Sequence, residues 1–245
     1  MYTQLIASLD FESQTHSAAP GYIGIFLDAA RSRKTILLNL HRFLEGDITR
    51  EGCLRELDRH HDAMTAEELC ILDLPDNLAS RRELRGTGQL WLESAATIMW
   101  GLGELDRLPP FDTSCYLFEL PEVNRNPSPR SIEELAMARC IAATWTTRAL
   151  MWATVKGESS APPEQMPTLR LTAEMDGIID LMEGDLKVMG TFPIHALTQG
   201  DCSFIAAISV SRLRALNWFL DWEVGHTPHW DDPRLNDYTE TRGSA

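Results

Sequence analysis

Between Gly88 and Gly103 the chain reads G-Q-L-W-L-E-S-A-A-T-I-M-W-G-L-G, and its apolar positions recur with a helical period. At ~100° per residue, Trp91, Ala95, Ile98 and Leu102 fall on one line and Leu92, Ala96 and Met99 on the next, an apolar arc of roughly half the circumference. Glu93, Ser94, Thr97 and Gly101 fill the narrow polar strip that remains. Such a helix expects protein on nearly every side. We read it as the spine of a helical core.

The same periodicity predicts the elements around it. Phe26, Ala30, Leu37, Leu40 and Leu44 mark a long helix from Tyr22 to about Glu45, with Gly46 placed to stop it. A more polar helix is expected over Thr49 to Met64, with Leu54 and Leu57 inward. Thr65-x-x-Glu68 is a capping-box pattern opening a short helix that ends before Pro75. Cys115 to Leu120 reads as a brief strand, and Gly157 to Pro167 as a loop. Ser131-x-x-Glu134 is a second capping box, opening a helix to about Val155 on which Ile141, Trp145, Arg148 and Trp152 share a line. Leu171 to Met189 reads as a helix striped by Met175, Met182 and Met189, although Gly177 and Gly184 each cost it ~1 kcal/mol relative to alanine. Asp201 to Trp222 is apolar almost all round, with Arg214, Asn217 and Asp221 as its polar strip. The expectation is a mainly α fold, a single-domain multi-helix bundle with a tryptophan-rich core and at most one or two short strands. Residues 1–20 form an N-terminal arm, 21–240 the helical domain and 241–245 a tail.

Charge narrows the partners. Asp and Glu number 36 against 22 Lys and Arg, a formal charge of −14 spread along the chain. That field repels phosphate backbones and anionic lipid, so nucleic acid and membrane are not expected partners, whereas a basic protein is attracted. No uncharged apolar run approaches the ~20 residues of a membrane span. Acidic Asp10 and Glu12, with no basic residue before Arg31, do not resemble an export signal, and the expected location is cytoplasmic. The 5 cysteines are scattered and never form C-x-x-C, as expected for reduced thiols. No metal or cofactor is expected. Arginine dominates over lysine, a bias that accompanies GC-rich bacterial genomes. Composition leaves the oligomeric state open.

Several pieces together carry a resemblance. R-G-T-G-Q-L-W-L-E-S-A-A-T-I-M-W-G-L-G followed by L-P-P, the helix from S-I-E-E-L to W-T-T-R-A-L, and S-R-L-R-A-L-N-W-F-L-D-W leading to H-W-D-D occur in this order. Over roughly residues 75–235 the chain resembles the uncharacterised bacterial family catalogued as domain of unknown function 4272. The residues that carry the likeness are Trp91, Glu93, Trp100, Leu102, Gly103, Arg148, Arg212, Ala215, Leu216, Asn217, Trp218, Trp230, Asp231 and Asp232. The resemblance implies a mostly helical domain and specifies no activity.

Candidate chemistry rests on a few separate groups of residues. The tryptophans, Trp91, Trp100, Trp145, Trp152, Trp218 and Trp230 among them, read as core, with Asn217, Asp231 and Asp232 in structural roles, because buried aromatics dominate core energetics. Glu93, Arg148 and Arg214 are charges set into apolar helices. They read either as structural ion pairs or as a hydrolase-type site in which Glu93 acts as general base and an arginine holds an anion. Met175, Met182 and Met189 with Glu174, Asp180 and Glu183 are the candidate binding surface, because adaptable thioethers ringed by carboxylates suit a basic partner. His226, His229, Asp231 and Asp232 match no strong metal signature, and the adjacent His60 and His61 point ~100° apart on a helix. No phosphate-binding glycine loop, nucleophile elbow or H-E-x-x-H is present. The leading expectation is a non-enzymatic protein-binding or immunity-type accessory protein, with the hydrolase as the alternative.

Overall fold

A computed structural model of the chain describes residues 20–74, 78–115, 124, 126–157, 179–223, 229–232 and 235. Its helices are α1 (Pro20–Glu45), α2 (Arg50–Leu57), α3 (Ala66–Leu72), α4 (Leu78–Gly101), α5 (Ile132–Gly157) and α6 (Gln199–Glu223). Three short strands, β1 (Leu181–Met182), β2 (Asp185–Val188) and β3 (Phe192–Pro193), form an antiparallel sheet in the order β1-β2-β3. The fold is mainly α around an aromatic core.

The spine is α4, and Trp91 to Trp100 are all buried. It packs against α1 on one side and α6 on the other, and α6 packs in turn along α5. Small residues set the close approach to α6: a Cβ on Gly101 would lie 2.6 Å from the Phe219 ring. Ser94 Oγ donates to the Ser211 carbonyl at 3.0 Å across the same contact. The contacts Arg139 to Asn217 and Lys156 to the Leu197 carbonyl make α5 and α6 antiparallel.

Local signals account for the helix ends. Thr65 and Glu68 close a full capping box, as do Ser131 and Glu134, each satisfying backbone donors that a helix start leaves open. At the end of α4 the Gly103 N–H donates to the Trp100 carbonyl and the Glu104 N–H to the Met99 carbonyl, both at 2.8 Å. This is the Schellman arrangement, with Gly103 at φ 75° in the left-handed position it requires. The same pair of bonds closes α1 at Gly46, from the Gly46 and Asp47 N–H groups.

Three expectations change. The polar segment from Thr49 is not one helix: α2 ends at Leu57 and a 3-10 turn, Asp58–Ala63, completes it. Cys53 and Leu57 face the core, whereas Leu54 is exposed, because the stripe follows Cys53 rather than its neighbour. The expected helix through Met182 and Met189 is a β-hairpin over its described part. Glu183 and Gly184 both take positive φ, 53° and 77°, as a two-residue hairpin turn demands, and Leu186 and Val188 alternate inward. Met182 is half-buried and Met189 exposed, so the described methionines form no helical stripe. Met175, Glu174, most of the N-terminal arm, the expected strand beyond Cys115, the loop from 158 and the 241–245 tail lie outside the described residues.

Candidate functional site

Glu93 sits at the centre of the most deeply buried polar set. Its helix register aims it into the α4–α6 contact, where Arg212 meets it with both side chains at 0% exposure. Arg212 donates to Glu93 Oε2 from Nε at 3.1 Å and from Nη2 at 2.6 Å. The other oxygen, Oε1, accepts from Ser114 Oγ and the Cys115 N–H at 2.7 Å each and from Gln89 Nε2 at 3.2 Å. Arg212 also donates to the carbonyls of Pro109, Pro110 and Thr113, and it lies over the Phe111 ring. The pair therefore fastens the 109–115 loop across two helices.

Burial alone would push the Glu93 carboxyl up, but the Arg212 guanidinium and the hydrogen bonds from Arg212, Ser114 and Cys115 outweigh it and hold it below the usual carboxylate range. Such a carboxylate stays ionised and has its lone pairs engaged. That is the condition of a structural anion, not of a base waiting for a proton. The nearby Cys115 thiol is pushed up to about 12, mainly by burial, which makes it a poor nucleophile.

Arg148 belongs to a second set. Its Nε donates to Asp185 Oδ1 at 2.5 Å, while Asp185 Oδ2 accepts from Trp152 Nε1 at 2.9 Å and lies 3.2 Å from His195 Nδ1. The Leu186 N–H donates to Asp185 Oδ1 at 2.8 Å, and Arg148 lies over the Trp152 ring. Lys156 Nζ caps the carbonyls of His195 and Leu197. Asp185 thus pins the sheet and the turn after it to α5. Asp185→Asn should cost about 2 kcal/mol, the scale of a hydrogen bond to a charged group, with faster amide hydrogen exchange confined to residues 181–193. An unchanged exchange pattern there would refute this anchoring role.

Arg214 belongs to a third. Its Nε and Nη2 donate to the Trp230 carbonyl, and both Arg33 and Arg214 lie over the Trp230 ring, at 5.1 and 5.3 Å from its centroid. Arg33 is paired in turn with buried Glu68 at 2.6 Å. Glu93, Arg148 and Arg214 consequently do not converge. The expected pairing of Glu93 with Arg148 or Arg214 is replaced by Glu93 with Arg212, because Arg212 lies on the α4-facing side of α6. The only sequence pointer to it was its place in S-R-L-R-A-L-N-W.

The tryptophans behave as core: Trp91, Trp100, Trp145, Trp152, Trp218 and Trp230 are all buried. Trp145 stacks on Phe111, and Arg130 lies over Trp100. Buried Asn217 accepts from Arg139 Nε and donates to the Leu235 carbonyl. Asp231 is exposed, and the Asp232 N–H donates to the His229 carbonyl in a turn. Of the candidate binding residues, Asp180, Glu183 and Met189 are exposed on or beside the small sheet, where Glu183 lies 3.6 Å from His195 Nε2.

Among the described residues no group of three or more metal-ligating side chains occurs, and no helix is long and apolar enough to cross a membrane. No family model, curated protein or solved structure matches this chain.

Proposed function

We propose that this is a non-enzymatic binding protein of the immunity or accessory type, which takes a basic protein partner on its small sheet. The observation that carries the reading is the turn between β2 and β3. Met189 is 66% exposed and Phe192 54% exposed on either side of it. Exposed carboxylates, Asp180 and Glu183, stand on the same sheet. Apolar anchors beside a polar rim are the composition of a protein-binding surface; Lys187 Nζ lies 4.0 Å from Asp180, and in a chain of charge −14 the carboxylates of that rim favour a cationic partner. The engagement of Glu93, Arg148 and Arg214 in three separate buried sets supports the same reading over the hydrolase.

The test is affinity capture of the tagged full chain from its own cells, beside the variant Met189→Ser with Phe192→Ser. The expected result is a stoichiometric basic protein that the variant loses, since a central anchor is worth ~2 kcal/mol or more in such interfaces. Asp180→Asn with Glu183→Gln should slow association and flatten its salt dependence. A partner retained equally by both chains, or an acidic one, would overturn the proposal.

A further inference from the structure

Two uncharged lines run along α5 on opposite sides, and the chain buries one of them. Leu135, Ala142, Trp145, Ala149 and Trp152 are buried on the inward side, along α6 and against Phe111. At ~100° per residue, Met137, Cys140, Thr144, Thr147, Met151 and Thr154 lie roughly 200° round the helix from that line. Their alternating spacing of three and four residues is kept over about five turns, the spacing of a seam between two helices. Met137, Cys140 and Thr154 are exposed, and Thr144, Thr147 and Met151 are half-buried.

This outer line carries no charge. From Cys140 to Val155 the one charged residue is Arg148, which is buried and paired with Asp185. Two of its hydroxyls are already satisfied. Thr144 Oγ1 donates to the Cys140 carbonyl and Thr154 Oγ1 to the Leu150 carbonyl, each at 2.9 Å, so neither needs a partner from outside.

Charge and symmetry select the occupant. A basic protein is drawn to carboxylates, and the seam has none to offer. Two copies of a chain of charge −14 repel one another, and they meet closely only where neither presents a charge. The order of residues then sets the register. A two-fold axis between Thr144 and Thr147 makes the helices antiparallel and places Met137 of one copy opposite Thr154 of the other, Cys140 opposite Met151, and Thr144 opposite Thr147. Each methionine thereby packs on a smaller residue, whereas a parallel pair would set methionine against methionine.

We propose that the Met137–Thr154 seam of α5 is the interface of an antiparallel, two-fold homodimer. It is a face distinct from the exposed Met189 and Phe192 of the small sheet. The seam is short beside a standard interface, and the dimer it forms is weak, with a dissociation constant of about 10 μM.

Sedimentation equilibrium of the full chain tests this. The wild-type chain should dimerise, several-fold more tightly in about 0.5 M than in about 0.05 M salt, because salt screens the repulsion between copies. Thr144→Lys should weaken the dimer by at least about tenfold, and so should Thr147→Glu, since each buries an unpaired charge at the axis. Both substitutions in one chain should restore it to within about threefold of wild type, because each new ammonium then faces the other copy's new carboxylate. A parallel pair would set like charges together and show no such recovery. Should these variants lose their helical circular dichroism, Met137→Lys and Thr154→Glu, at exposed positions opposed in the same register, are read in the same way. Met189→Ser with Phe192→Ser should leave the dimer unchanged, which separates this interface from the partner site on the sheet. A chain that stays monomeric up to about 200 μM in high salt, some twentyfold above the expected constant, would overturn the proposal. So would a dimer indifferent to Thr144→Lys, or a double variant no tighter than either single one.

Discussion

Arg212→Met is expected to lower the unfolding free energy by about 3–5 kcal/mol in urea titrations, because it leaves the Glu93 carboxylate buried without its counter-charge. The loss should exceed that of any exposed ion pair in the chain, such as Arg31 with Asp28, for which ~0–1 kcal/mol is usual. Glu93→Gln should be costly for the mirror reason, a guanidinium at 0% exposure with no anion. The double variant Glu93→Gln with Arg212→Met should lose less than the sum of the two, which is the signature of a direct pair. It should not return to wild type, because the carbonyls of Pro109, Pro110 and Thr113 lose their donor as well. Additive losses would show that the two side chains do not act as a pair.

Acid should expose the same pair. Glu93 has its carboxyl held below the unfolded value of about 4.3. A depressed carboxyl contributes stability that is present above that value and lost as pH falls through the lower, folded one. The gap in stability between wild type and Glu93→Gln should therefore narrow below about pH 4 and stay constant above about pH 6. Denaturant titrations across that range check it, and a gap independent of pH would mean that Glu93 does not titrate with folding.

Gly103→Ala is expected to cost about 2–5 kcal/mol, from two sources that act together. The residue holds φ 75°, where a Cβ costs ~1–2 kcal/mol. The new Cβ would also stand 1.9 Å from the Ser128 carbonyl oxygen, a backbone atom that cannot rotate away, and overpacking adds ~1–3 kcal/mol. The segment around Ser128 returns to the end of α4, where the Arg130 N–H donates to the Gly101 carbonyl and the Asn124 N–H to the Glu104 carbonyl. Thermal unfolding of Gly103→Ala beside Gly86→Ala, a helical position with open space around its Cβ, separates this close approach from glycine content in general. Equal melting temperatures would refute the account.

Residues that carried the resemblance in sequence, among them Glu93, Gly103, Arg212, Asn217 and Trp230, are the ones that join separate elements here: helix to loop, helix end to returning chain, helix to C-terminal segment. At these positions the residues hold separate elements together. The candidate binding residues fared differently. Asp180, Glu183 and Met189 stay exposed, yet on a hairpin rather than a helix. The signal for that hairpin was present in L-M-E-G-D-L-K-V, where inward Leu186 and Val188 alternate after a two-residue turn containing glycine. A seven-residue methionine spacing masked it, since a heptad and an alternation of two coincide at too few positions to be told apart in so short a run.

The sequence by itself determined the long helices, their capped starts and glycine stops, and the burial of the six described tryptophans. All of these rest on interactions within a few residues or on a single apolar period. Only the tertiary structure decided which buried charge meets which. Glu93 and Arg212 lie on different helices, as do Arg33 and Arg214, while Arg148 and Asp185 join a helix to a strand. Partner choice between such groups depends on helix rotation and crossing, which no periodicity encodes. The apolar faces specify that α4 and α6 pack together, and the geometry of that packing specifies that Glu93 finds Arg212.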